Sequence, residues 1–342
     1  MRIYRLLTTT LAAILCGMAA AQADINVRVS VKFILGSSGQ LPSNSGGFGA
    51  QSVALVNNNA VISNINYANE LLRANRRGYQ FQLTEIQNVS GWSSFFNLSA
   101  RNQANKEALE NTATSNATTR AQFFWRDNAI NVYINNTSSG YCSFPGSGSA
   151  IFIGSAAYDT LIIHESGHHF ALAHTHSGEQ FLNFDDSPCE DGCACAKLIG
   201  GNSDGFSDTL PDHECWTRGQ MVANNPGATA TQIDNTFLNI MSYHLPQDRF
   251  TSGQLDTWAD TGNGSRFNTV TGRTRFVDRD NTGIFQFGTS ALPYETVTQG
   301  VNNAAASGDI VLIRPGNYDE TITITKALTL RATRGTAVIG IP

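Results

Sequence analysis

Charge is what this sequence has least of. Asp, Glu, Lys and Arg make up 14% of its 342 residues, against the ~25% usual in soluble domains. Asn, Ser, Thr and Gly supply the polar surface instead. No long Lys/Arg run appears and the formal net charge is −5, which excludes a basic nucleic-acid binder. Beyond the N-terminal end no apolar stretch approaches the ~20 residues of a membrane helix. A disordered chain is excluded as well, since hydrophobic residues reach 41% and can bury a core. Histidine is scarce, with seven in all, yet five of them fall between Leu161 and His176.

The N-terminus reads as an export signal. Arg2 and Arg5 form a basic end, Leu6 to Met18 is mostly apolar, and Ala21 to Ala23 offers small residues for cleavage. A bulky Leu15 argues against lipid modification of Cys16. Removing this segment takes two arginines and no acid, moving the formal charge from −5 to −7. Five cysteines then remain: Cys142, Cys189, Cys193, Cys195 and Cys215. In an oxidising compartment two disulfides and one free thiol is the simplest arrangement, with the pairing open. A structural zinc site built from CEDGCAC with His213 and Cys215 is the rival, but its spacing fits no common zinc ribbon.

Along the chain, INVRVSVKFIL and YQFQLTEI alternate as strands should, with NYANELLRANRRG between them as a helix stopped at Gly78. A polar helix is expected around Ala100 to Ala121. AINVYI and AIFIG follow as strands, and then a helix-length apolar segment from Tyr158 to His174. Strands and helices are expected to share one mixed sheet rather than repeat as βαβ units. An extended substrate would pair with the strand that begins at Ala129 or Ala150. Beyond Asp260 the texture changes to short β-branched runs spaced by Gly, Pro and turns.

The histidine-rich stretch is LIIHESGHHFALAHTH. On a helix His164 and His168 project from one face, where two imidazoles can grip one metal ion. Glu165 between them can reach a water on that ion. His174 lies six residues after His168, too far along a straight helix, but a turn near Ala171 swings it back as a third ligand. Three neutral imidazoles suit Zn²⁺ and leave a position for water, whose proton Glu165 can take. By chance about 0.004 HExxH matches are expected in a chain of this composition, so the metal reading outweighs a helix with solvent-facing histidines. His169 and His176 read as bystanders or supporting groups.

HESGHHFALAHTH and NIMSY (Asn239 to Tyr243) resemble metzincin zinc peptidases, and the pappalysin family in particular. The resemblance implies that His164, His168 and His174 ligate zinc, that Glu165 is the general base and that Met241 floors the metal in a Met-turn. It implies that Tyr243 holds the oxyanion or covers the metal at rest. Met241 lies 67 residues past His174. GGNSDGFSDTLPD is similar to the family's calcium-holding stretch, making Asp204 and Asp208 calcium candidates. One departure matters: the family's glycine is Ala171 here. If the backbone passes through positive φ there, alanine costs about 1 kcal/mol, which predicts either a strained turn or a displaced His174.

The tail PYETVTQGVNNAAASGDIVLIRPGNYDETITITKALTLRAT resembles the opening of right-handed parallel β-helices in secreted carbohydrate-active and surface proteins. Ile322, Ile324, Leu328 and Leu330 would then point into the stack. Only one or two rungs fit before Pro342, so they pack on the peptidase, dimerise, or belong to a truncated form.

The fold expected is therefore α+β, a metzincin-type peptidase with a mixed sheet, active-site helix and Met-turn, plus a short C-terminal parallel β-helix-like segment. Its divisions are a signal peptide at 1–23, a peptidase domain at 24–262, a linker at 263–290 and rungs at 291–342. The function expected is a secreted or periplasmic zinc-dependent endopeptidase acting on protein or peptide, through water activated by Glu165, without nucleic acid or membrane anchor. The alternative is a surface adhesion or glycan-binding protein with an inactive metal site, its glycan contact made through the C-terminal segment.

Overall fold

The structure, a computed structural model, describes residues 25–177, 180–182, 197–200, 204–305, 307–333 and 335–340. The expected signal peptide at 1–23, and Cys189, Cys193 and Cys195, lie outside the described residues. No helix among the described residues is long and apolar enough to cross a membrane.

Strand β1 (Ile25–Ile34) is followed by the short β2 (Ser52–Ala54) and by α1 (Asn58–Ala74). Helix α1 begins well before the sequence pattern marks it, because the Asn57 side chain accepts from the Ala60 amide and caps the first turn. It returns the chain to β3 (Tyr79–Val89), which pairs in parallel with β1. The single polar helix expected near residues 100–121 is two, α2 (Gln103–Thr114) and α3 (Ala117–Gln122). Asn116 restarts the chain there with a capping box to Thr119. Then come β4 (Ile130–Ser138), β5 (Gly140–Cys142) and β6 (Ile151–Tyr158).

These strands form one sheet in the order β2-β6-β4-β1-β3, with β5 also paired to β6. Its centre is parallel, while β2 and β5 run antiparallel to β6. The sheet is mixed, as expected, yet β1-α1-β3 is a βαβ unit, which the sequence reading did not anticipate. Nor is β4 or β6 an edge. Strand β4 lies between β1 and β6, and the outer side of β6 is taken by β5 and β2.

Side-chain alternation divides the core. Val27, Val29, Val31 and Phe33 of β1, with Ile130, Val132, Ile134, Ile151 and Ile153, face α1 and the later helices. Ile34, Tyr133 and Phe152 face the other way, against Leu109 and Ala113 of α2 and Phe123. The histidine-bearing helix α4 (Leu161–His169) lies on the first face through Leu161, Ile162 and Ile163.

Beyond it, β7 (Gln180–Leu182) and β8 (Lys197–Gly200) pair antiparallel. Helices α5 (Arg218–Asn224) and α6 (Ala230–Phe237) enclose a small cluster of Trp216, Met221 and Ile233. Helix α7 (Ser252–Asn263) returns to the main core, where Trp258 stacks on Phe170 at 4.3 Å.

The stretch 263–290, expected as a linker, contains β9 (Thr274–Val277). That strand pairs in parallel with β10 (Ser307–Ile313), which follows α8 (Val297–Asn303). Strand β12 (Ala327–Ala332) pairs in parallel on the other side of β10, and β11 (Gly316–Tyr318) pairs likewise with β13 (Ala337–Ile339). Phe276, Ile310 and Leu312 enter the main core beside Ile25 and Tyr79. Val277, Val311 and Ile313 point the opposite way, into a second core with Val297 and Val301 of α8. Ile322, Leu328 and Leu330 pack, partly buried, against that second core, whereas Ile324 is exposed. The C-terminal strands are thus seated on the larger sheet through one of their two faces.

Gly154 in β6 marks a close approach. A Cβ there would lie 2.2 Å from the carbonyl carbon and oxygen of Thr137 and 2.4 Å from the Ser138 nitrogen. Backbone cannot rotate away as a side chain can. Gly154→Ala is expected to lower stability by about 1–3 kcal/mol in denaturant unfolding, and an unchanged midpoint would contradict this packing.

Candidate metal centre

Helix α4 carries His164, Glu165 and His168, all nearly buried. After His169 it ends in a Schellman turn. Ala171 N–H donates to the His168 carbonyl and Leu172 N–H to the Gly167 carbonyl. Ala171 takes the left-handed position with φ 71°, so the strained turn is the one the protein adopts. His174 is not displaced. Its Nε2 lies 3.2 Å from that of His164 and 2.9 Å from that of His168.

The donor chemistry fits a cation. His164 Nδ1 donates to the Ile240 carbonyl at 2.6 Å and His168 Nδ1 donates to the Leu172 carbonyl at 2.7 Å. With the proton on Nδ1, each Nε2 offers a lone pair to the centre. Burial, reinforced by the neighbouring imidazoles, lowers His164 to about 3; burial alone dominates for His168, at about 4. The same two causes drive His174 lower still. All three rings are therefore neutral, as metal ligands must be. A tetrahedral ion with Zn–N near ~2.0–2.1 Å separates its ligand nitrogens by about 3.3 Å, close to the distances found. Among the described residues these three form the one cluster of His, Cys, Asp or Glu suited to an ion.

Glu165 stands beside them. The Cys142 amide of β5 donates to its carboxylate, while Oε2 is buried and has no partner. Burial pushes its carboxyl up to about 8; a cation alongside would draw it back down. Both the orphaned oxygen and the raised proton affinity suit a group that accepts and returns a proton.

Met241 is fully buried beneath α4. At Gly167 a Cβ would come 2.3 Å from the Met241 sulfur, so the glycine leaves room for that side chain against the helix. Asn239 fixes that turn: its Oδ1 accepts from the Met241 amide at 2.9 Å, and its side chain pairs with Gln254. Tyr243 is 43% exposed, with its ring 4.7 Å from that of His174 and 6.2 Å from that of His164. Partial burial, then the Glu165 charge, raises its phenol, which stays protonated. His176 stacks on His174 at 4.9 Å outside the triad, and His169 is buried on the far side of the helix turn.

These groups line a cleft of 420 Å³ whose walls include Phe48, Arg101, Gly140, Tyr141, Phe144 and Leu245. Strand β5 presents Gly140, Tyr141 and Cys142 to it. The cleft-side strand is therefore β5, and not the strands from Ala129 or Ala150, because β5 covers β6 at this end. Cys142 is a free, buried thiol, and Cys215 is disulfide-bonded.

Asp204 and Asp208 are not part of the histidine cluster. Asp204 is buried, takes the Phe206 amide and the Thr209 hydroxyl, and is pushed by burial up to about 6. Asp208 Oδ2 accepts from Gly253 N–H at 2.9 Å, and its Oδ1 is buried without a partner.

Sequence reasoning missed Asn239, Gln254 and the Cys142 amide. It also missed a buried trio of Thr175, Asp212 and His244. A signal existed for the last: His244 directly follows Tyr243, and Asp212 ends the DTLPD stretch.

Neither a family model nor a curated protein matches the chain. Among solved structures it is similar to mirolysin in complex with a small compound, at 17% identity, covering 72% of this chain and 96% of that one, with TM-score 0.42. Mature mirolysin of Tannerella forsythia with a cleaved peptide gives 17%, 72%, 95% and 0.42. A promirolysin variant of the same organism gives 16%, 72%, 84% and 0.38. A likeness this slight adds nothing to the case made by the histidines themselves.

The Ala171 turn gives a direct check. Ala171→Gly relieves the left-handed alanine, partly offset by the freer unfolded chain, and is expected to stabilise the protein by about 1 kcal/mol in denaturant unfolding. Destabilisation would mean that the turn is not left-handed.

Proposed function

We propose that the protein is a secreted, zinc-dependent endopeptidase of pappalysin type, hydrolysing peptide bonds in protein or peptide substrates. The convergence of three neutral imidazole Nε2 atoms beside a buried carboxylate with one unpartnered oxygen carries this reading. His164, His168 and His174 would hold the ion. Zinc so held supplies a Lewis acid for the scissile carbonyl and brings a water's pKa toward ~7.

Glu165 takes the proton of the attacking water on its free oxygen. As the C–N bond breaks it returns that proton to the leaving amine. Tyr243, protonated and flanking His174, donates a hydrogen bond to the oxygen that gains charge during attack. The outer edge of β5 is the place where an extended substrate would add as a strand. The export reading rests on residues 1–23. The calcium reading of Asp204 and Asp208 rests on the Asp208 oxygen that finds no donor.

The reading of a short parallel β-helix is supported by the parallel pairing of the C-terminal strands. A second reading, surface or glycan binding, is favoured by Phe285 and Phe287. They are 61% and 59% exposed, with rings 6.3 Å apart at 25°, a flat apolar face able to stack on a sugar ring.

The test compares residues 24–342 as wild type and as Glu165→Ala, each incubated with a denatured protein, with and without a zinc chelator. New peptide ends are mapped by mass spectrometry. Cleavage is expected from chelator-free wild type alone, with the variant at least ~100-fold slower while retaining zinc. Equal cleavage by a zinc-loaded variant would contradict the role of Glu165.

A further inference from the structure

Asp212 is a carboxylate with no solvent exposure, on a loop with no regular structure. Buried carboxylates are rare unless hydrogen-bonded or paired, and two of the partners found here directly follow residues of the cleft. Its Oδ2 accepts from the Thr175 hydroxyl at 2.6 Å, and Thr175 is the residue after His174. Its Oδ1 accepts from His244 Nε2 at 2.8 Å and from the His213 amide at 2.7 Å. His244 directly follows Tyr243, and its ring is held by stacking on Phe237 at 4.3 Å. The Thr175 amide donates to the Met241 carbonyl at 3.1 Å. Thr175 is therefore tied to the Met-turn twice, once directly and once through Asp212.

The loop itself is anchored on its far side. Leu210 N–H donates to the Thr236 hydroxyl at 2.8 Å and the Asn225 side chain donates to the Pro211 carbonyl at 3.2 Å. It is thus docked on α5 and α6, and Asp212 extends that anchorage to the segment carrying the third histidine. That segment needs one. It leaves α4 through a left-handed alanine, a conformation that L-residues other than glycine disfavour, and His174 lies three residues later with no helix to fix it.

We infer that Asp212 is a positioning residue for the metal centre, its carboxylate clamping Thr175 to the post-Met-turn His244 so that His174 Nε2 is held in the triad. It touches neither ion nor substrate and acts through Thr175. The inference rests on the zinc reading above and adds to it the group that holds the third ligand in place.

The test is a double-mutant cycle on the purified protein, using Asp212→Asn, Thr175→Val and both together, with Thr175→Ser as the conservative control. The readouts are zinc affinity by competition with a chromophoric chelator, the visible spectrum of the Co²⁺-substituted protein, and the melting midpoint of the zinc-free form. Each single change is expected to weaken zinc ~10- to 100-fold and alter the Co²⁺ bands. The double variant should be no weaker than the worse single, since one clamp is lost either way. Thr175→Ser, which keeps the hydroxyl, should bind like wild type.

Unchanged affinity and spectra with a lowered zinc-free midpoint would make Asp212 a structural residue only and overturn the inference, as would additive losses. A wild type that binds no zinc would overturn the metal-centre reading itself, and this result is seen before any variant is compared.

Discussion

Three imidazole nitrogens held with their lone pairs facing one another repel unless a cation lies between them. Here the backbone imposes that arrangement. The carbonyls of Ile240 and Leu172 take the Nδ1 protons of His164 and His168, and the turn at Ala171 brings His174 back to within 3.2 Å of both. Most of the neighbouring structure can be understood as support for this constraint. Ile240 adjoins the Met-turn, whose buried sulfur seats against Gly167. The buried Asn239–Gln254 pair fixes the turn, and Gln254 belongs to α7, whose Trp258 stacks on the residue that closes α4.

The sheet serves the same site from the other side. Strand β6 delivers the chain to α4, and β5 folds back over the end of β6 so that the Cys142 amide meets Glu165. One carboxylate oxygen is thereby fixed and the other left without a partner. A group whose proton affinity is raised by burial and lowered by a nearby cation can switch between acceptor and donor within one reaction cycle. The site therefore draws on a mixed sheet, a short helix and a distant turn, elements separated by about 100 residues of sequence.

The histidine triad was legible because its chemistry is local: His164, Glu165 and His168 share one short helix, and His174 needs one turn. Strands β1, β3, β4 and β6 were legible because each alternates or is continuously apolar. Other features depend on pairing, which leaves no local trace. The parallel order β3-β1-β4-β6, the cover that β5 gives β6, and the entry of β9 into the C-terminal sheet all belong here. β9 is four residues long and lies in a polar stretch, so its sequence reads as linker until β10 is placed beside it. The supporting residues were hidden for a related reason. Asp212, Thr175 and His244 are each unremarked polar residues until the fold brings them into contact.

The central claim, that three histidines and no cysteine hold the metal, is tested most directly by zinc X-ray absorption on the purified protein. Three imidazole nitrogens at ~2.0–2.1 Å are predicted, with a fourth light ligand and no sulfur. Sulfur scattering at ~2.3 Å, which would place zinc in the cysteine-rich segment, or a fit needing only two imidazoles, would contradict the account.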